Sequence, residues 1–207
     1  MKFLEKMFAI LGYEVTIRNK RKLANTKVAL PSSPEVKHKM INGIAKTYQL
    51  DILVETGTYL GGLIYAMRNN FKEIHTIELA EELFTNAVQK FEPYNYIHPL
   101  FGDSGKVLHE LVPNLKKPAL FWLDGHYSGG FTAKGEQDAP VGQELDAIIQ
   151  GIQKGIPHII LIDDARLFIN DTSYSGYPRM KEIERLVAEK LPNYNISVES
   201  DVIIIKN

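Results

Sequence analysis

Acidic side chains stand at the ends of successive hydrophobic runs, each beside glycine or a small polar residue. Ile52-Leu53-Val54 leads into Glu55-Thr56-Gly57-Thr58-Tyr59-Leu60-Gly61-Gly62, and the next run ends in Glu78. Later runs lead into Gly102-Asp103-Ser104, Asp124-Gly125-His126 and Asp163-Asp164. An apolar run that ends in a glycine-bearing turn and feeds a helix, here Leu63-Ile64-Tyr65-Ala66-Met67, is a ligand cradle. Glycine lets the backbone approach the ligand, and the helix start offers unpaired N–H groups. Glu55 in this turn would repel a pyrophosphate and attract a cationic amine, so the expected ligand is a nucleotide-like cofactor carrying positive charge. Glu78 follows Gly57 by twenty-one residues, the spacing at which an acidic side chain reaches ribose hydroxyls. Asp103 could accept from an exocyclic amine, or cap the helix that follows. Singly, each residue has a plain reading as a turn glycine, a solvated strand end or a cap. Together, strand ends in order carry the groups one cofactor would need.

The elements that must position these groups read as alternating strands and helices. Strands are expected at Ile52–Glu55, Ile74–Glu78, Tyr96–Phe101, Ala119–Leu123, His158–Ile162, Asn195–Glu199 and Val202–Ile205. Helices are expected at Gly61–Asn70, Ala80–Phe91, Ser104–Leu111, Val141–Gln153 and Met180–Lys190. Leu120-Phe121-Trp122-Leu123 and Ile159-Ile160-Leu161-Ile162 are densely apolar rather than alternating, as central parallel strands covered on both faces require. The pattern is that of a doubly wound α/β sheet, whose ligands bind beyond the carboxyl ends of the strands. Only Ser200-Asp201 separates the last two strands, so they must form a hairpin, with an edge strand antiparallel to the rest. Ahead of the sheet, Ser33 would cap a helix from Pro34 to about Tyr48, and residues 3–10 could form a short amphipathic helix.

The joint pattern from residue 34 to 207 resembles the class I S-adenosylmethionine-dependent methyltransferases, a seven-stranded Rossmann-like fold ending in an antiparallel hairpin. The likeness rests on Glu55-Thr56-Gly57-Thr58-Tyr59-Leu60-Gly61, on Glu78 and on Gly102-Asp103-Ser104. It implies that Glu55, Thr56, Gly57, Thr58 and Gly61 cradle the methionine part of S-adenosylmethionine. It further implies that Glu78 holds the ribose and that Asp103, with Ser104, lies near the adenine. The turn has fewer glycines than many members of that family.

Asp124, Asp163 and Asp164 would converge at neighbouring strand ends. Uncompensated carboxylates repel and raise one another's pKa; a hard divalent cation would relieve this, and oxygen ligands suit magnesium. Asp163 or Asp164 could instead cap a turn or touch substrate without metal. The layout resembles metal-dependent sugar and catechol-type O-methyltransferases, in style the macrocin-type group. There the metal would bind an acceptor hydroxyl and lower its pKa. His126, beside Asp124, is the general-base candidate, or else a residue that orders its loop. The long glycine-rich loop Tyr127–Pro140 would form a substrate wall or lid, and the loop Phe168–Pro178, with Tyr174 and Tyr177, could close the other side.

Composition bounds these readings. The 207 residues suit one domain, residues 34–207, with residues 1–33 as a basic extension serving as a lid or an oligomer contact. The absence of cysteine excludes disulfides, thiolate metal sites and a cysteine nucleophile. No apolar run approaches the roughly 20 residues of a membrane span, and Glu5 and Lys6 interrupt the apolar start, so a cytoplasmic protein is expected. Residues 1–46 hold ten Lys/Arg against three Asp/Glu. The cluster Arg18-Asn19-Lys20-Arg21-Lys22 could meet an anionic surface or stand solvated; without interleaved aromatics it does not indicate nucleic acid. The expected partner is a small-molecule acceptor such as a sugar, with a homo-oligomer as a further expectation. Two other readings stay open: an NAD- or nucleotide-sugar-dependent oxidoreductase, and a non-catalytic cofactor-binding protein of the same fold.

Overall fold

In the computed structural model, residues 31–125, 140–169 and 177–207 are described. His126, Tyr174, the basic cluster, the expected helix at 3–10 and most of the loop Tyr127–Pro140 lie outside them.

The chain runs α1 (Pro34–Tyr48), β1 (Ile52–Thr56), α2 (Gly62–Met67), β2 (Glu73–Glu78), α3 (Glu81–Phe91), β3 (Ile97–Phe101) and α4 (Ser104–Leu111). A short 3-10 turn, Val112–Asn114, leads to β4 (Ala119–Leu123), α5 (Val141–Gln153), β5 (Ile159–Ile162) and α6 (Arg166–Ile169). Then come α7 (Met180–Lys190), β6 (Asn195–Glu199) and β7 (Val202–Lys206). Pro34 occupies the start of α1, where its missing N–H has no partner to lose.

The seven strands are ordered β3-β2-β1-β4-β5-β7-β6. The first five by sequence are mutually parallel, as the dense apolar runs require: every residue of β1, β4 and β5 is buried. Successive strand residues feed opposite faces. Leu53, Leu120, Trp122 and Leu161 pack with Ile41, Ile64 and Phe91 on the side of α1, α2 and α3. Val54, Phe121 and Ile160 pack with Leu108, Ile148 and Ile183 on the side of α4, α5 and α7. The chain reverses its direction of travel between β1 and β4, which are neighbours, so the switch point lies between Glu55-Thr56-Gly57 and Asp124-Gly125.

The closing hairpin forms as expected, with one difference. The antiparallel strand is β7, and it lies inside the sheet between β5 and β6. Burial explains the choice: Val202 to Ile205 is wholly apolar and buried, whereas Asn195 and Glu199 of β6 are exposed and suit an edge. Ser200 and Asp201 both have positive φ, 49° and 60°, the backbone of a two-residue turn whose twist matches the paired strands.

Candidate functional site

The turn after β1 is bound to its neighbours on both sides. The N–H groups of Gly57 and Thr58 donate to the Ile77 carbonyl of β2, at 2.9 and 3.2 Å. On the other side the Asp124 N–H donates to the Thr56 carbonyl at 3.2 Å. Gly57 has φ 81°, and a Cβ there would stand 2.6 Å from the Asp124 carbonyl oxygen, so only glycine fits. Gly61, with φ 67°, is hemmed in the same way: a Cβ there would stand 2.8 Å from the Phe91 ring.

Glu78 closes this turn from β2. Its Oε2 accepts from the Tyr59 N–H at 2.8 Å and its Oε1 from the Ala80 N–H at 2.9 Å. Each carboxylate oxygen has a second lone pair, so a diol can still be received by an already oriented group. Glu55 is only 3% exposed and accepts from the Thr76 hydroxyl, which also meets the Thr58 hydroxyl at 2.6 Å. Burial, with the charges of Asp124 and Glu78, raises its pKa well above the ordinary carboxylate range, against the Thr76 hydrogen bond. Glu55 therefore sits within the turn's own hydrogen-bond network. Asp103 caps α4, its Oδ1 accepting from the Lys106 N–H at 3.4 Å.

A second residue set meets at the ends of β4 and β5. Leu123, Asp124, Gly125, Glu144, Asp163 and Tyr177 line one pocket there. The Ser104 hydroxyl donates to Glu144 Oε1 at 2.6 Å, and burial raises the Glu144 pKa to about 7 against the Ser104 and Thr56 hydrogen bonds. No motif in the sequence points to Glu144, although a signal exists: it falls on the apolar stripe Val141, Leu145, Ile148, Ile152 of α5, where a carboxylate needs a reason. Tyr177 stacks edge-on against Phe168 with centroids 5.3 Å apart. Burial, then the charges of Asp164, Asp124 and Glu144, pushes its phenol up.

The three aspartates expected to hold magnesium are arranged differently. Lys37, from the first turn of α1, places Nζ 2.7 Å from Asp163 Oδ1 and Oδ2, and 3.6 Å from Asp164 Oδ1. Arg166 Nη1 lies 2.7 Å from Asp164 Oδ1 and also binds Asp201. Among the described residues no three His, Asp or Glu side chains gather as a metal-holding group. Asp163 is raised by burial and by Asp124, with Lys37 opposing. Burial works to lower the Lys37 pKa, but its bonds to Asp163 and the charges of Asp164 and Asp124 outweigh this and hold it above its ordinary value. Asp163 and Asp164 are therefore already served by protein cations, and as arranged they do not fit a magnesium ion.

Asp201 supports this loop from the hairpin tip. It is fully buried; its Oδ1 accepts from the Arg166 N–H at 2.9 Å, and its carbonyl accepts from the Ala165 N–H at 2.8 Å. No local sequence pattern marks Lys37 or Asp201 as parts of the site.

No protein-family model and no curated protein sequence matches the chain. Solved structures do resemble it. The O-methyltransferase from Bacillus cereus, in complex with S-adenosylhomocysteine, superposes with a TM-score of 0.56 at 19% identity, over 94% of this chain and 88% of that one. The methyltransferase PaMTH1 of Podospora anserina, bound to S-adenosylhomocysteine, gives 0.56 at 16% identity, covering 84% and 79%. TomG of Streptomyces achromogenes, an O-methyltransferase of tomaymycin synthesis in complex with S-adenosylmethionine, gives 0.57 at 12% identity, covering 84% and 80%. The chain thus has the Rossmann-like fold of these methyltransferases.

Proposed function

We propose that this protein is an S-adenosylmethionine-dependent O-methyltransferase acting on a hydroxyl of a small molecule, a sugar or similar polyol. The observation that carries the reading is the turn Thr56–Gly61, fastened to β2 and β4 and closed by Glu78. In this reading the turn cradles the methionine end of the cofactor, Glu78 receives the ribose hydroxyls, and Asp103 and Ser104 border the adenine side. The carboxylates of Glu78, which closes the turn, and Asp124, at the pocket, suit a cofactor whose sulfonium and amine are cationic.

Methyl transfer is an in-line displacement at the sulfonium methyl, and the acceptor hydroxyl must lose its proton during attack. The pocket of Asp124, Glu144 and Tyr177 is the acceptor side. Asp124 would orient the hydroxyl, and His126, two residues farther along the chain, is the proposed base. An interior antiparallel strand next to β5, together with Tyr59 where a Gly-x-Gly-x-x-Gly turn starting at Gly57 would carry its second glycine, speaks against the oxidoreductase reading.

The test is methyl transfer. Purified protein is incubated with methyl-labelled S-adenosylmethionine and a panel of sugars, polyols, catechols and amines. Label in an acceptor ether supports the reading; label on nitrogen or carbon acceptors alone would refute O-methylation.

A further inference from the structure

Asp163 and Asp164 stand at the end of β5 and Asp124 at the end of β4, near enough for Asp124 and Asp164 to act electrostatically on the buried Asp163. A buried carboxylate among like charges needs a cation. Lys37 supplies one. Its ammonium lies 2.7 Å from both Asp163 oxygens and 3.6 Å from Asp164, and Asp124 also acts on it electrostatically. The lysine is held where it is. Ile41 and Ala45, farther along α1, are buried against the sheet, so a packed helix presents the side chain. The opposite partner is fixed as well, because Asp163 Oδ1 accepts from the Asp164 N–H at 2.7 Å. Arg166 holds Asp164 while gripping buried Asp201.

Magnesium demands oxygen ligands at about 2.0–2.1 Å in near-octahedral geometry. An ammonium already in contact with both Asp163 oxygens competes with it for that carboxylate and repels its charge. We propose that Lys37 is the resident cation of this site, standing where a divalent metal would otherwise be bound. The site then works without divalent metal, and Lys37 acts as a positioning residue that keeps Asp163 and Asp164 beside the pocket of Asp124, Glu144 and Tyr177. The inference rests on the methyltransferase reading only for the statement that this pocket receives the acceptor.

The test measures metal directly and needs no acceptor. Metal-free protein is titrated with Mn²⁺ and the free ion followed by electron paramagnetic resonance. Wild type should show no saturable uptake. Lys37→Met and Lys37→Gln leave Asp163 without its cation and should each acquire a saturable Mn²⁺ site, lost again when Asp163→Asn is added. Lys37→Arg keeps a cation in place and should behave as wild type. Saturable uptake by wild type, abolished by Asp163→Asn, would overturn the inference. So would the absence of uptake in both neutral variants while they unfold cooperatively. If neither variant folds, the wild-type titration decides alone. Titrating the same samples with S-adenosylhomocysteine separates the two levels. Loss of that binding in wild type counts against the methyltransferase reading and leaves the Lys37 result standing.

Discussion

Gly57 and the carbonyl oxygen of Asp124 are so close that a Cβ on residue 57 would lie 2.6 Å from that oxygen. One backbone contact therefore couples the proposed cofactor turn of β1 to the proposed acceptor side of β4. Gly57→Ala would add both a steric overlap and a strained positive φ. It is expected to lower stability by about 2–4 kcal/mol and to weaken cofactor binding. Urea denaturation and calorimetry on the same preparation measure the two effects; an unchanged midpoint would mean that the turn yields freely.

Glu78 is the residue on which the ribose assignment stands. Its two oxygens bind the N–H groups of Tyr59 and Ala80, so Glu78→Ala removes both an internal support and the proposed ribose acceptor. Affinity for S-adenosylhomocysteine should fall about 10- to 100-fold, the range of hydrogen bonds to a charged group. Unchanged affinity would show that the ribose is held elsewhere.

Most of the framework is legible from local pattern. All seven strands are foreseen, β4 and β5 from dense apolar runs, and α1, α4, α5 and α7 have the expected limits. The four-residue α6 is not foreseeable, since a single turn carries no periodicity. The strand order past the switch point, and with it the interior place of β7, depends on which strand buries better on both faces, a tertiary choice. In the site, the glycine turn and the acidic strand ends can be read in order. Lys37 cannot, because its partner Asp163 is 126 residues away and nothing near Lys37 differs from an ordinary solvated helix start. Three aspartates suggest a metal when read alone; the lysine that offsets them becomes visible only once α1 is packed on the sheet.

Glu144 should leave a mark on stability as pH changes. Its folded pKa is about 7 against an ordinary 4.5. Between these values the folded state keeps a proton that the unfolded chain has released, so the stabilisation shrinks as pH rises and is gone above about pH 7. Glu144→Gln should gain on wild type across this window by on the order of 3 kcal/mol. His158, lowered by burial to about 4, pulls the opposite way from about pH 4 to its ordinary value, so the difference between the two proteins is the readout. Parallel stability curves from pH 4.5 to 7 would show that Glu144 does not titrate there.

Asp201 joins the hairpin tip to the loop that carries Asp163 and Asp164. Asp201→Asn keeps a residue type that tolerates positive φ but removes the buried charge facing Arg166. A loss of about 1–3 kcal/mol is expected in urea denaturation. Full stability would mean that Arg166 is satisfied by Asp164 alone.

The cofactor and acceptor assignments at the site depend on S-adenosylmethionine binding at the turn between β1 and α2, with Glu78. Calorimetric titration of wild-type protein with S-adenosylhomocysteine, repeated with NAD⁺, tests this without an acceptor. Saturable binding of S-adenosylhomocysteine, weakened by Glu78→Ala and absent with NAD⁺, is the expected result. Binding of NAD⁺ with none of S-adenosylhomocysteine would refute the cofactor assignment and the methyltransferase reading with it.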